Sequence, residues 1–402
     1  MSLSTETIGF DLSAPPAGFI DDPYPVYAAL RREGRVLEQP DGSRLLTHWQ
    51  DLDRVYRDTR AFSSDKVAVF GPKYGEGSPL FTHHTTSLVF SDPPLHTRVR
   101  KIMVGAMTPR ALARMEPRLV VLVDGLLDGL AGRVDLIEDY AAAIPVEVIG
   151  NLFDIPRGER GPLRDWSLAI LGALEPVLTV EEEARGNAAV RDFSAYLEDL
   201  IARRRARPGD PETDVLTRLL AADAGGGLSL VELVQNCIFI LNAGHETTTN
   251  LIGNALGALA ADCAARARLI AEPELIETAV DEFLRFESPN QFGNRLTTAP
   301  VEIGGSRIPA GVNLHLCIGA ANRDPAQFGD PERLDLARRP NRHLAFAGGP
   351  HTCVGLTLAR MEGRVAIGRF LQRFPEFGLD GRGARSPRLR FRGYTHLPAW
   401  VS

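Results

Sequence analysis

Between about residue 107 and residue 262 the chain reads as one helix after another, and this run restricts the fold more than any other feature. MTPRALARMEPRLVVLVDGLLDGL, VRDFSAYLEDLIARRRA and LSLVELVQNCIFILNAGHETTTNLIGNALGALAADC all carry apolar residues at the spacing of an amphipathic helix. Joints rich in Asp, Gly and Pro, at 207–211 and 224–227 among others, separate them as helix ends do. β-Branched residues bounded by Gly or Pro collect in only two places. These are SRLLTHW near the N-terminus and RLTTAPVEIGGSRIPAGVNLHLCIGAA in the C-terminal third. The pattern predicts a mainly α fold, a helical bundle with small accessory β-sheets. No repeat or long linker divides it, so residues 1–402 read as a single domain.

Hydrophobic residues make up 44% and charged residues 24%, with a net charge of −6. Such a surface is not built to attract nucleic acid or anionic lipid. No stretch of about 18 consecutive apolar residues occurs, so no membrane span is expected. The first thirty residues lack a basic region followed by an apolar run, which argues against a signal peptide. Cys237, Cys263, Cys317 and Cys353 are widely spaced and form no C-x-x-C pair, against a disulfide scaffold or a zinc site. A cytoplasmic, reducing setting fits.

Residues 341–360 read NRHLAFAGGPHTCVGLTLAR. Cys353 sits in a Gly-rich turn at the start of an amphipathic helix, where backbone N–H groups and the helix dipole favour a thiolate. Such a thiolate suits the iron of an oxygen-cleaving haem. The same loop also suits a structural thiol, or a nucleophile paired with His351, although residues two apart on a tight turn are poorly placed for proton relay.

F-A-G-G-P-H-T-C-V-G resembles the haem-binding signature of the cytochrome P450 superfamily. It keeps Phe346, Gly349, His351, Cys353 and Gly355, and departs at Ala347, where the family usually has Gly. The resemblance makes Cys353 the metal ligand of a haem b, with Phe346, His351 and Gly355 in the cofactor loop. Three further motifs follow the same family. LNAGHETTTN puts Gly244 inside a helix, where it costs about 1 kcal/mol relative to Ala and suggests a distortion beside a ligand. It resembles A-G-x-[DE]-T, which places Ala243 and Gly244 over the cofactor and makes Glu246 and Thr247 the catalytic acid and alcohol for proton delivery. A Ser/Thr-rich turn bonding its own carbonyls is the plainer alternative.

ELIETAVDEFLRFESP carries Glu282 and Arg285 three apart on one face, resembling the family's structural E-x-x-R ion pair. SDPPLHTRVRK places His96 and Arg100 four apart at a helix start, resembling the H-x-x-x-R helix. With Arg295 and His343, these supply the basic partners that the two haem propionates require.

The resemblance implies a triangular, mostly helical fold with haem between the helix around 229–262 and the cysteine loop. It implies a monooxygenase that puts one atom of O2 into an organic substrate. The chain has no G-x-G-x-x-G after a strand and no C-x4-C-x2-C cluster set, so electrons are expected from a separate ferredoxin and its flavin-dependent reductase. Arg100, Lys101, Arg110, Arg342, Arg360 and Arg364 could form the docking patch. By the family layout, Val69, Phe70, Leu171, Leu174 and Ile240 face the substrate. So do Gln291, Phe292, Asn294, Tyr394 and Thr395. No Arg or Lys stands out as a carboxylate clamp, which suggests a neutral hydrophobic substrate bound by a monomer.

Overall fold

The computed structural model describes residues 9–223 and 227–402 of the 402-residue chain. The glycine joint expected at 224–227 and the N-terminal stretch tested for a signal peptide fall partly outside the described residues. Six helices position the site: α1 (Leu95–Ala106), α2 (Val180–Ala206), α3 (Leu230–Ala243), α4 (His245–Ala261), α5 (Ile276–Phe286) and α6 (Leu356–Arg373).

Their ends are written in the sequence. At α2 a Thr179–Glu182 capping box opens the helix; Glu181, Glu182 and Glu183 lie at its positive end and Arg203, Arg204 and Arg205 at its negative end. A second capping box, Ser229–Glu232, opens α3. Leu251, Ile252, Ala255, Leu256 and Leu259 of α4 lie in the main apolar core, and α4 packs against both α5 and α6.

The two β-rich stretches of the sequence meet in one five-stranded sheet. Its strands are β1 (Leu37–Glu38), β2 (Arg44–Leu46), β3 (Phe62–Ser63), β4 (Phe292–Thr297) and β5 (Asn313–Cys317), in the order β1-β2-β5-β4-β3. Only the β2–β5 pairing is parallel. The β4–β5 register sets Arg295 opposite Leu314, Asn294 opposite His315 and Leu296 opposite Asn313. Alternation along a strand therefore puts Arg295 on one face of the sheet, and Asn313 and His315 on the other.

Several strands fall outside those two stretches. Gly132–Asp135 lies inside the helical run and pairs with Pro398–Val401. Four residues are too few to show a period, and their partner is at the far end of the chain. Among the described residues no helix is long and apolar enough to cross a membrane.

Candidate functional site

Of the four cysteines, Cys237 and Cys317 are fully buried and Cys263 is exposed; Cys353 keeps a partly accessible surface deep in the structure. Its turn is closed by hydrogen bonds from Cys353 N–H to the Phe346 carbonyl (3.0 Å) and from Thr352 N–H and Oγ1 to the Gly349 carbonyl (3.1 and 2.7 Å). Gly349 has φ +64°, and a Cβ there would lie 2.3 Å from the Tyr56 carbonyl oxygen, so only glycine fits. Ala347 also adopts positive φ, +55°. The methyl that departs from the family signature thus sits in the left-handed region, at a cost of roughly 1–2 kcal/mol. The turn keeps its shape and carries the strain.

Gly355 N–H donates to the Cys353 sulfur just before α6 begins, and Arg100 and Arg360 add positive potential. Burial outweighs all three and holds the thiol above its ordinary value. A cation bound at the sulfur would convert it to thiolate.

Four basic side chains converge beside this loop. His96 is buried with Nε2 unpartnered, and its ring lies 4.0 Å from that of His351. His351 Nε2 is 3.1 Å from Ser64 Oγ. Arg100 donates to the Thr352 carbonyl (2.7 Å). Arg295 donates to the Asn294 carbonyl (2.7 Å) and lies over the Tyr56 ring. Among the described residues, no carboxylate pairs with any of the four.

Burial, then the repulsion of Arg295, His96 and Arg100, brings His351 down to about 2. Burial also lowers His96, Arg100 and Arg295. A site with one sulfur and four unneutralised basic groups fits a ligand that brings a metal and two carboxylates. Haem b is such a ligand.

His343 does not join this cluster. Its Nε2 lies 3.2 Å from Asp281 Oδ1, which also accepts from Arg360 (2.8 Å), while its Nδ1 accepts the Ala345 N–H (3.3 Å). Nearness to the cysteine in sequence misled here, because the intervening chain turns His343 toward α5. Glu282 and Arg285 form a fully buried fork of two 2.8 Å bonds on that same helix. Arg338 and Asn341 join Glu282, and Arg285 donates to the carbonyls of Asn322, Pro331 and Arg333. The pair ties down the chain that leads into the cysteine loop.

Opposite the loop, the long distal helix breaks at Gly244, between α3 and α4. A Cβ on Gly244 would lie 3.1 Å from Ile149 Cδ1, so close packing as well as the break favours glycine. Ile240, Ala243, Gly244 and Thr247 form a partly accessible stripe around this break, with buried residues on either side. With the accessible surfaces of Phe346, His351 and Cys353, this stripe outlines an internal cleft. Thr247 Oγ1 donates to the Ala243 carbonyl (2.8 Å). Glu246 is buried and ion-paired with Arg388, and burial raises its carboxyl to about 7 even though Arg388 pulls it down. Arg388 was not singled out from sequence; only the alternation R-x-R-x-R at 388–392 hinted at it.

The family model for cytochrome P450 matches residues 176–377. A vitamin D(3) 25-hydroxylase of Pseudonocardia autotrophica is 40% identical over 393 residues, 94% of each chain. The chain belongs to the cytochrome P450 family. The cytochrome P450 monooxygenase PikC of Streptomyces venezuelae is 36% identical, over 96% of this chain and 93% of its own. P450BioI, solved in complex with hexadec-9Z-enoic acid ligated acyl carrier protein, superposes with a TM-score of 0.91. It is 31% identical over 96% of this chain and 100% of its own. The fold is the P450 fold, the enzyme a P450 monooxygenase, and the family's cofactor is haem b.

Within this P450, some expected substrate contacts lie elsewhere. Gln291 accepts from Tyr27 Oη (2.9 Å) and donates to the Ser288 carbonyl (2.7 Å), so its amide is occupied in the scaffold. Phe292 packs with Tyr27 in the N-terminal core. Thr395 is exposed, and Tyr394 lies against Arg385 and Gly257. Asn294 is buried beside Arg295. Phe70, by contrast, forms an apolar wall with Tyr74 and Phe90 around His84, with Val69 at its edge; Leu174 packs on the same core and Leu171 is buried.

Proposed function

We propose that this P450, acting as a single cytoplasmic domain and a monomer, inserts one atom of O2 into a hydrophobic small organic molecule. A ferredoxin and its flavin-dependent reductase supply the electrons. The observation that carries the reading is the convergence of His96, Arg100, Arg295 and His351 beside Cys353. Cys353 would hold the iron through sulfur, the four basic groups would hold the propionates, and Phe346 would support the loop. The haem supplies O2 activation and oxygen transfer into a C–H or C=C bond, with the second oxygen leaving as water.

The chain supplies placement and protons. Thr247 uses its hydroxyl hydrogen on the Ala243 carbonyl, which leaves its oxygen to hold a water in the cleft. Glu246, near 7, exists in both protonation states at neutral pH and can pass protons inward from its place on Arg388. The apolar stripe from Ile240 to Thr247 excludes bulk water. Relatives named for vitamin D(3) and for a hexadecenoic acid complex support an apolar substrate.

The docking patch narrows. Arg360 and Arg364 are paired with Asp281 and Glu116, and Arg100 points to the Thr352 carbonyl. Lys101, Arg110 and Arg342 are exposed and carry no ion pair among the described residues, so they form the ferredoxin-facing patch. Lys101→Glu with Arg110→Glu should slow ferredoxin-driven turnover and flatten its salt dependence; an unchanged rate and salt response removes the patch.

The reduced, carbon-monoxide-bound protein should show a red-shifted Soret band that disappears in Cys353→Ser. Thr247→Ala should consume electrons without matching product. An unpigmented protein would sink the reading, and full coupling in Thr247→Ala would remove the proton-delivery role.

A further inference from the structure

Three arginines alternate in the C-terminal segment RLRFRG, and two of them have carboxylate partners. Arg388 pairs with Glu246, and Arg392 with Glu287 at 2.7 Å. Arg390, between them, pairs with no carboxylate among the described residues. Its Nε is buried without a hydrogen-bond partner, and one Nη donates to the Phe292 carbonyl at 3.2 Å. Glu175 is near, but its oxygens accept the backbone N–H groups of Leu389 (2.9 Å) and Arg390 (3.2 Å). The carboxylate fixes the backbone and makes no direct bond to the guanidinium; its charge only partly offsets the burial that lowers Arg390.

A second cation lies close by. Lys66 is 0% exposed, and its ammonium reaches only Asn313 Oδ1, at 3.4 Å. That is longer than a good hydrogen bond. His315 Nε2 lies 3.3 Å from the Asn313 amide, and its buried Nδ1 has no partner among the described residues, just as Lys66 has no other. Lys66 is brought down to about 7 by burial and then by Arg295 and Arg390, against a weaker pull from Asp65 and Asp92, and His315 to about 4 by burial and Arg390 against Asp41. These side chains form one repulsive group.

The group adjoins the one beside Cys353 across the sheet, where Arg295 acts on Lys66. Arg295 occupies the sheet face shared with Leu314, whereas Asn313 and His315 lie on the opposite face. An apolar wall adjoins it: Phe70, Tyr74 and Phe90 surround His84, whose Nε2 is also buried and unpartnered and which feels the charge of Lys73 and Arg390. A buried cation with no directly paired counterion destabilises a fold, so its retention points to a partner from outside the chain.

We propose that Arg390 and Lys66 bind the carboxylate of an apolar organic acid, which is the anchored end of the substrate. The apolar remainder of the acid lies along the Phe70–Phe90 wall. This replaces the neutral substrate expected from sequence, and it rests on reading the chain as a haem-loaded monooxygenase.

The test uses the haem-loaded protein, with straight-chain acids from decanoate to hexadecanoate and their methyl esters as probes. Binding is read by calorimetry and by the spin-state shift of the haem. The wild type should prefer acid to ester by roughly tenfold or more, the worth of one charge-assisted hydrogen bond. Arg390→Gln and Lys66→Met should each erase that preference while haem content and the carbon-monoxide spectrum stay unchanged. Arg390→Lys should restore it in part.

Equal affinity for acid and ester, no binding of any acid, or an unchanged preference in Arg390→Gln overturns the proposal. Haem loss from Lys66→Met, with the acid preference intact, assigns Lys66 to the propionates and overturns its share. A haem-free protein that still selects acids by calorimetry would defeat the monooxygenase reading and leave this one standing.

Discussion

Arg285 and Arg295 stand ten residues apart in the chain, both are buried, and their surroundings are opposite. Arg285 is gripped by Glu282 through two 2.8 Å bonds and by three backbone carbonyls, and Glu282 is itself held by Arg338 and Asn341. Arg295 has one carbonyl and the face of Tyr56. Around it stand His96, His351, Arg100 and Lys66, which are basic as well. Desolvation penalises both arginines alike. The chain itself offsets that penalty at Arg285, and at Arg295 it does not. Matched buried charge fixes the scaffold behind the cysteine loop, and unmatched buried charge marks the space a ligand completes.

The largest effect should come from breaking the matched side. Glu282→Ala leaves Arg285 and Arg338 facing each other without an anion and should destabilise the protein by about 3–5 kcal/mol in urea unfolding. A loss below about 1 kcal/mol would erase the contrast. On the unmatched side, Arg295→Met should leave the haem-free chain at least as stable as wild type while weakening haem binding. Loss of one charge-assisted bond of about 1.5–3 kcal/mol corresponds to roughly ten- to hundredfold in affinity. Haem titration of the two apoproteins measures it, and equal affinities would show that Arg295 does not meet the propionates.

Glu246 lies between these extremes, buried but with a single cation. Burial raises its carboxyl to about 7, and Arg388 holds it below where burial alone would put it. A group that delivers protons is active while protonated, so turnover should fall as pH rises through this value. Arg388→Gln removes the lowering influence and should move that alkaline limb to higher pH; a fixed limb would show that Glu246 does not set it. The smallest effect is at Ala347, where strain rather than charge is at issue. Ala347→Gly relieves a left-handed alanine but frees the unfolded chain, so thermal unfolding should show a gain of no more than about 1 kcal/mol.

What sequence made legible was local. Helix spacing brought Glu282 to Arg285 and His96 toward Arg100, and the glycines around Cys353 foretold its turn. The two β-rich stretches were visible as strands, although their parallel pairing across some 270 residues was not. The site was harder wherever contacts are long-range. His343 looked like a propionate partner because it precedes the cysteine by ten residues, and the fold gives it to Asp281 instead. Arg388 and Arg390 lie far along the chain from Glu246 and Lys66, and no period or spacing links them. Gln291 and Phe292 were placed at the cleft by position alone, whereas Tyr27 claims both.

The segment carrying Arg388, Arg390 and Arg392 has a further consequence, for how the gene can vary. Each guanidinium is aimed by its position in a stretch whose backbone is clamped at Leu389 and Arg390 by Glu175 and bridged at Phe391 to Asn290. Surface loops commonly absorb a gained or lost codon. Here one residue more or fewer between Ser386 and Gly393 would move the arginines beyond it out of place, parting Arg388 from Glu246 or Arg392 from Glu287 in a single event. Among homologues this stretch should therefore vary by substitution and keep its length.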